Sequence, residues 1–297
     1  MSTLQLQIQQ RHILAELTGV SGIEYITPHV YLIGDDMPDL IRTSLAFERF
    51  ERVTLLAQAD RPAPAAMHKT HKADFEAIAS YQQDNAVYLL VLGSGARPTR
   101  RFAYQVQLPD LSVQPLLLES LYQTWQNSPA LVNGAELNIE AVCADTTYFY
   151  IFQRGNTNQH HAMMQVRIAD FLTQPLTLPA VHHLLNVPML GEHAAGISGA
   201  CWLGDSAGFL YTASVEATQN AYDDGAILGS FVGWHRAIGQ PIIWQLLTEA
   251  DGTALPIKVE GISVVQQDSM GCQVLLVTDS DGQASEVLYL WLAYPAT

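Results

Sequence analysis

The sequence predicts an all-β fold, a five-bladed β-propeller. Three observations predict it: a short pattern that recurs five times, an apolar β-type run behind each copy, and sparse helical periodicity. The pattern is an apolar residue, a polar one, a small one (once Tyr), then an aliphatic or small one. Its copies are Ile23-Glu24-Tyr25-Ile26, Phe75-Glu76-Ala77-Ile78, Ile139-Glu140-Ala141-Val142, Ile197-Ser198-Gly199-Ala200 and Val259-Glu260-Gly261-Ile262. Successive copies are 52, 64, 58 and 62 residues apart, and wrapping from Glu260 through the C-terminus to Glu24 takes 61, so the repeat closes on itself.

Each copy leads into a run rich in β-branched and aromatic residues that ends in Gly or a polar cluster, as buried strands do. These runs are Val30–Asp36, Val87–Ser94, Tyr148–Arg154, Phe209–Glu216 and Val274–Asp279. Shorter runs follow, among them Tyr104–Leu108, Met164–Ile168, Phe231–Trp234, Ile242–Trp244 and Val287–Trp291, which makes about four strands per unit of about sixty residues. Leu117, Leu118, Leu121, Tyr122 and Trp125 have helical spacing and predict one short helix inserted between blades two and three. The last unit runs out of chain after Trp291, while Gln5–Leu17 precedes the first pattern. That N-terminal segment is expected to be the outer strand of the last blade, closing the ring and removing a sheet edge. Residues 1–297 are read as one propeller domain, with six blades as the alternative if a divergent unit hides between 140 and 198.

A net charge of -15 from 29 acidic and 14 basic residues excludes unspecific binding to nucleic acid or an anionic membrane, which rests on Lys and Arg. No apolar run has the length of a signal core or a membrane span, so a membrane-free, cytoplasmic, monomeric chain is expected. Cys143, Cys201 and Cys272 are odd in number and far apart, which fits reduced, buried thiols.

In a propeller the starts of the innermost strands and the ends of the second strands share one face. Here the starts offer Glu24, Glu76, Glu140, Ser198 and Glu260, and the ends offer Asp35, Asp36, Ser94, Arg154, Asn156, Glu216, Asp279 and Asp281. Carboxylates gathered at one channel mouth raise one another's pKa, so a cation, bound protons, or Arg154 and Lys258 must compensate them. A ring of Glu and Asp oxygens suits Ca²⁺ better than zinc, with Glu24, Glu76, Glu140 and Glu260 as ligands. The opposing reading makes the same Glu side chains latches that accept backbone N–H bonds between blades.

The segment His68-Lys69-Thr70-His71-Lys72 precedes Asp74 and Glu76, so His71 and Lys72 are expected to contact a phosphate or carboxylate ligand. Asp279-Ser280-Asp281-Gly282 opens like a calcium loop but lacks its later ligands, and Asp223-Asp224 lie in a separate acidic tract. The pairs His160-His161 and His182-His183 read as surface features. Gly196-Ile197-Ser198-Gly199-Ala200 lacks the final Gly of a nucleophile elbow, and Gly93-Ser94-Gly95 lacks the Lys of a phosphate loop.

The recurring Asp74–Ile78, Asn138–Val142 and Lys258–Ile262 segments, with Thr212–Gly225 and Val277–Asp281, resemble an uncharacterised bacterial propeller family across nearly the whole chain. That family is distantly similar to phytase-like and esterase-like propellers, and the similarity implies calcium at the channel mouth on Glu24, Glu76, Glu140 and Glu260. It departs at Ser198, which stands where another Glu would be, and in having five units where phytases have six. Two functions follow: a propeller that binds a small or anionic ligand or a protein partner at its mouth, or a metal-dependent hydrolase of phosphoesters or lactones.

Overall fold

The computed structural model describes residues 3–56, 74–175, 177–178, 180–217, 225–280 and 282–295. It contains five antiparallel four-stranded sheets arranged as a β-propeller, so the six-bladed alternative falls away. The first strand, β1 (Gln5–Thr18), pairs with the last, and blade 1 follows it: β2 (Val20–Ile26), β3 (His29–Gly34), β4 (Asp39–Ser44) and β5 (Glu51–Thr54). Blade 2 is β6 (Phe75–Gln83), β7 (Ala86–Gly93), β8 (Ala103–Leu108) and β9 (Ser112–Pro115). Helices α1 (Glu119–Gln126) and α2 (Pro129–Val132) lie between blades 2 and 3, where the leucine and aromatic stripe predicted a helix.

Blade 3 is β10 (Ile139–Ala144), β11 (Tyr148–Gln153), β12 (Ala162–Arg167) and β13 (Val181–Leu184), with the short helix α3 (Ile168–Phe171) before its outer strand. A two-residue hairpin, β14 (Met189–Leu190) and β15 (His193–Ala194), leads to blade 4: β16 (Gly196–Gly204), β17 (Gly208–Ala217), β18 (Ala226–His235) and β19 (Ile243–Leu246). Blade 5 is β20 (Lys258–Gln267), β21 (Gly271–Asp279) and β22 (Ala284–Ala293), completed on its outer edge by β1. Gln5 faces Ala293 and Leu14 faces Ser285, so the N-terminal strand closes the ring as its position in the sequence predicts.

Second strands are apolar on both sides because each blade packs against two neighbours. In β7, Leu89 and Val91 join the core between blades 1 and 2, while Leu90 and Leu92 join the core between blades 2 and 3. Five apolar clusters fill the five gaps in this way.

Every inner strand opens with the same irregularity, a β-bulge in which one extra residue is set against the second strand. The register skips between Val20 and Gly22, Phe75 and Ala77, Ile139 and Ala141, Ile197 and Gly199, and Val259 and Gly261. A bulge re-aims the extra side chain, here Ser21, Glu76, Glu140, Ser198 and Glu260. The small residue after it lets the strands converge at the axis: a Cβ on Gly199 would stand 2.9 Å from the Cα of Gly261. This register corrects blade 1. Its member of the repeat is Val20-Ser21-Gly22-Ile23, and Glu24 lies three residues further along β2.

Candidate functional site

The bulges set the geometry of the channel mouth. The free space between the inner strands, lined by Ser21, Glu76, Glu140, Glu260 and the small residues behind them, is about 10 Å³. That holds roughly one water-sized species. A small organic molecule does not fit there.

The five bulge residues behave in two ways. Ser198 is fully buried, and its hydroxyl donates to the Val259 carbonyl of blade 5 at 2.6 Å and lies 3.1 Å from the Thr212 hydroxyl. The Ser21 hydroxyl likewise donates to the Phe75 carbonyl of blade 2. Both serines are therefore inter-blade latches, and the ligand-contacting place expected for Ser198 is taken by backbone. Glu76, Glu140 and Glu260 supply the carboxylates of the mouth.

Glu24, expected in the same ring, is absent from it because the bulge falls at Ser21. Deeper in the channel its Oε1 accepts from the Ser80 N–H at 3.1 Å and the Ser80 hydroxyl at 2.5 Å, and its Oε2 lies 3.4 Å from the Ser263 hydroxyl. Burial raises its pKa, and the Ser80 and Ser263 bonds pull it partly back. It is the latch that the alternative reading of these glutamates describes.

The residue two places before each bulge faces the mouth as well: Gly19, Asp74, Asn138, Gly196 and Lys258. So does the turn or second-strand end beyond it, which brings in Asp35, Arg154, Glu216 and Asp279. The mouth divides into two halves. On the side of blades 3, 4 and 5, Arg154 lies 3.4 Å from Glu140, 3.3 Å from Glu216 and 4.0 Å from Glu260. Lys258 lies 3.5 Å from Glu216, 3.3 Å from Glu260 and 3.5 Å from Asp279. Burial by itself would lower the pKa of both cations, but the surrounding carboxylates reverse that and raise it, so both stay charged. Glu260 is 4% exposed, and burial outweighs Lys258 and Arg154 to push its pKa up to about 8. Asn138 donates its amide to Glu140 at 2.6 Å.

On the side of blades 1 and 2, one carboxylate oxygen each from Asp35, Asp74 and Glu76 lie within 4.8 Å of one another. Backbone bonds fix the three positions. Asp35 N–H donates to Gly19 O at 3.2 Å, Asp74 N–H to Asp35 O at 2.8 Å, and Ser94 N–H to Asp74 O at 2.9 Å. Asp74 has a φ of 55°, a left-handed conformation uncommon outside glycine that is concentrated at functional sites. Its Oδ2 accepts from the Ser94 hydroxyl and lies 2.9 Å from Arg100 Nη1. Glu76 has its pKa raised well above the ordinary carboxylate value, first by burial and then by Glu140, Asp74, Asp35 and Glu260, all of them like charges.

Asp36 follows Asp35 in the turn after β3, half-buried beside Gly19. His71, Lys72, the tract at 220–224 and Asp281 lie outside the described residues. His161 corrects the surface reading of its pair: it is 3% exposed, its Nδ1 accepts the Gly155 N–H at 3.2 Å, and burial lowers its pKa to about 4. The three cysteines are free and buried, as expected. Among the described residues no helix is long and apolar enough to cross a membrane. Asp74 and Lys258 belong to the mouth though neither was among the expected ligands, and the signal for both was their place two residues before a repeat Glu.

Known proteins match this architecture at low identity. An α-L-arabinanase of Cellvibrio cellulosa matches at 13% identity and a TM-score of 0.50, over 92% of each chain. The Myxococcus xanthus glutaminyl cyclase matches at 10% and 0.42 over 99% of each chain, and a putative gluconolactonase at 10% and 0.42 over 97% of this chain and 94% of its own. Such identities speak for the fold alone. No curated protein sequence matches the chain. A family profile covers residues 16–292, and the chain belongs to that family, a family of unknown function (DUF6929).

Proposed function

We propose that the protein binds a divalent cation of the calcium type at Asp35, Asp74 and Glu76, and holds a small anionic ligand over the channel mouth through that cation. The observation that carries this reading is the meeting of three carboxylate oxygens, one each from Asp35, Asp74 and Glu76, within 4.8 Å of one another. Among the described residues, the carboxylates of Asp35, Asp74, Glu76, Glu140, Glu216, Glu260 and Asp279 share the mouth with Arg100, Arg154 and Lys258. Burial, and after it the like charges of Glu140, Asp74, Asp35 and Glu260, raise the pKa of Glu76 well above the ordinary carboxylate value. A divalent cation relieves the repulsion that protons otherwise relieve.

The donor set is all oxygen, which selects Ca²⁺ or Mg²⁺ over zinc or copper. A cluster assembled from the turn after β3 and the start of β6 suits the flexible oxygen coordination of Ca²⁺ better than the strict octahedron of Mg²⁺. Arg154 and Lys258 each already face three carboxylates, so an anion gains little from them directly. The bound cation would attract it. The carboxylates nearest the cation are its ligands and those across the mouth are paired with Arg154 and Lys258, an arrangement that favours binding over phosphoester or lactone hydrolysis.

Calorimetric titration of chelator-treated protein with Ca²⁺ tests this. One saturable site is expected in the parent and none in Glu76→Gln. Absence of binding in the parent would refute it, as would equal binding in the variant.

A further inference from the structure

We propose that the outer wedge between blades 2 and 3 is a binding site for a neutral carbohydrate. The sequence Gln105-Val106-Gln107 in β8 and Ser112-Val113-Gln114 in β9 alternates with period two, which sends the amides to one face and the valines to the other. Val106 and Val113 pack into the core between blades 1 and 2. The strand register then assembles the polar face. Tyr88 is opposite Gln107, and Gln107 is opposite Ser112, while Gln105 and Gln114 pair in the neighbouring row. Gln83, at the end of β6, lies 3.4 Å from the Gln105 amide.

This face lines a recess of about 510 Å³, within the range of small-ligand sites. Its far wall is Gln174, from the segment after α3, whose Oε1 accepts the Leu117 N–H at 2.5 Å. That bond fixes the side chain and points its amide N–H₂ group elsewhere. Leu116 and Leu172 form the apolar part of the lining. Tyr88 is held by stacking on the buried Tyr81, with ring centroids 5.6 Å apart and planes 25° from parallel.

Among the described residues five glutamines, a serine and a tyrosine line the recess and no charged side chain does, in a chain of net charge -15. An ionic ligand would find no counter-charge. An aliphatic ligand would strip water from the amides and give nothing back, leaving polar groups unpaired. A polyol satisfies them: each amide presents a carbonyl acceptor beside two N–H donors, and each sugar hydroxyl both donates and accepts. The Tyr88 ring and the two leucines supply apolar surface for the C–H face of a pyranose ring. The site is separate from the channel mouth, so the two stand or fall independently.

The test is a chemical-shift titration of the full chain, without added metal, against maltotriose, cellotriose and a β-galactotriose, with trigalacturonate as the charged counterpart. At least one neutral trisaccharide is expected to saturate at concentrations on the order of 1 mM or below. Gln107→Leu and Tyr88→Leu should each weaken it at least about tenfold. Both positions are partly exposed, and an unchanged unfolding midpoint will separate lost contacts from lost fold. No saturation by any neutral sugar overturns the proposal, as does binding that survives both substitutions, or trigalacturonate binding as well as the neutral sugars.

Discussion

Arg154 lies across the Cα of Gly196: a Cβ placed on Gly196 would stand 2.2 Å from Arg154 Nε and 2.9 Å from its Cζ. The guanidinium from blade 3 reaches Glu216 of blade 4 and Glu260 of blade 5 through the space that this glycine leaves open. Gly196→Ala is therefore expected to displace Arg154 and cost about 2–4 kcal/mol in denaturant unfolding, since a broken buried ion network is among the costlier lesions. In an Arg154→Met background the same substitution should cost far less, because the two changes act on one contact. Equal costs in both backgrounds would contradict the assignment.

Arg154→Met removes the cation beside Glu140 and leaves Lys258 alone to face Glu216 and Glu260. An unfolding loss of about 3–5 kcal/mol is expected near neutral pH. The loss should shrink in acid, as the stranded carboxylates take up protons. A loss that is the same at pH ~5 and pH ~8 would mean that packing of the stem, and not charge, is what Arg154 contributes.

The pH dependence of stability follows from Glu260, whose pKa rises from 4.5 to about 8 on folding. A raised carboxyl makes the folded state bind more protons than the unfolded one, so its contribution is present at low pH and is lost as pH rises toward 8. His161, His182, His183 and His235 have lowered values and act the other way, adding stability as pH rises to the unfolded value of 6.5. Between pH 6.5 and 8 the carboxyl dominates, and metal-free protein should lose about 1–2 kcal/mol. Glu260→Gln should make that limb shallower, with the raised carboxyl of Glu76 left to supply the rest. A wild-type profile that is level or rising over the window would sink the prediction.

Glu24 separates a latch from a ligand. Glu24→Ala strands the Ser80 N–H and removes the acceptor that ties blade 1 to blades 2 and 5, for an expected loss of about 1–3 kcal/mol. Calcium titration of the variant should match the parent. A variant that folds and no longer binds calcium would return Glu24 to the ligand set.

The number of blades and the closure by β1 were legible because the bulge repeats a fixed chemical pattern at the axis, and chain length leaves one strand over. The register of blade 1 was not. Ile23-Glu24-Tyr25-Ile26 carries the Glu that three other units share, whereas the true copy, Val20-Ser21-Gly22-Ile23, matches the serine unit Ile197-Ser198-Gly199-Ala200. Backbone geometry, not residue identity, decides which residue is the bulge. The place of Asp74 two residues before Glu76 was legible, whereas the left-handed φ that it adopts there is not announced by any local pattern. Arg154 and Lys258 could be placed on the right face from sequence, but their saturation by carboxylates from three blades could not, since those partners meet only when the ring closes.

The central claim, that Asp35, Asp74 and Glu76 bind a divalent cation, is tested most directly by thermal unfolding of chelator-treated protein with and without Ca²⁺. A ligand that binds only the folded state at about 100 times its Kd adds about 2.7 kcal/mol and raises the midpoint. The account predicts such a rise in the parent and in Glu24→Ala, and none in an Asp35→Asn, Glu76→Gln double variant. No rise in the parent, or a rise that persists in the double variant, would contradict it.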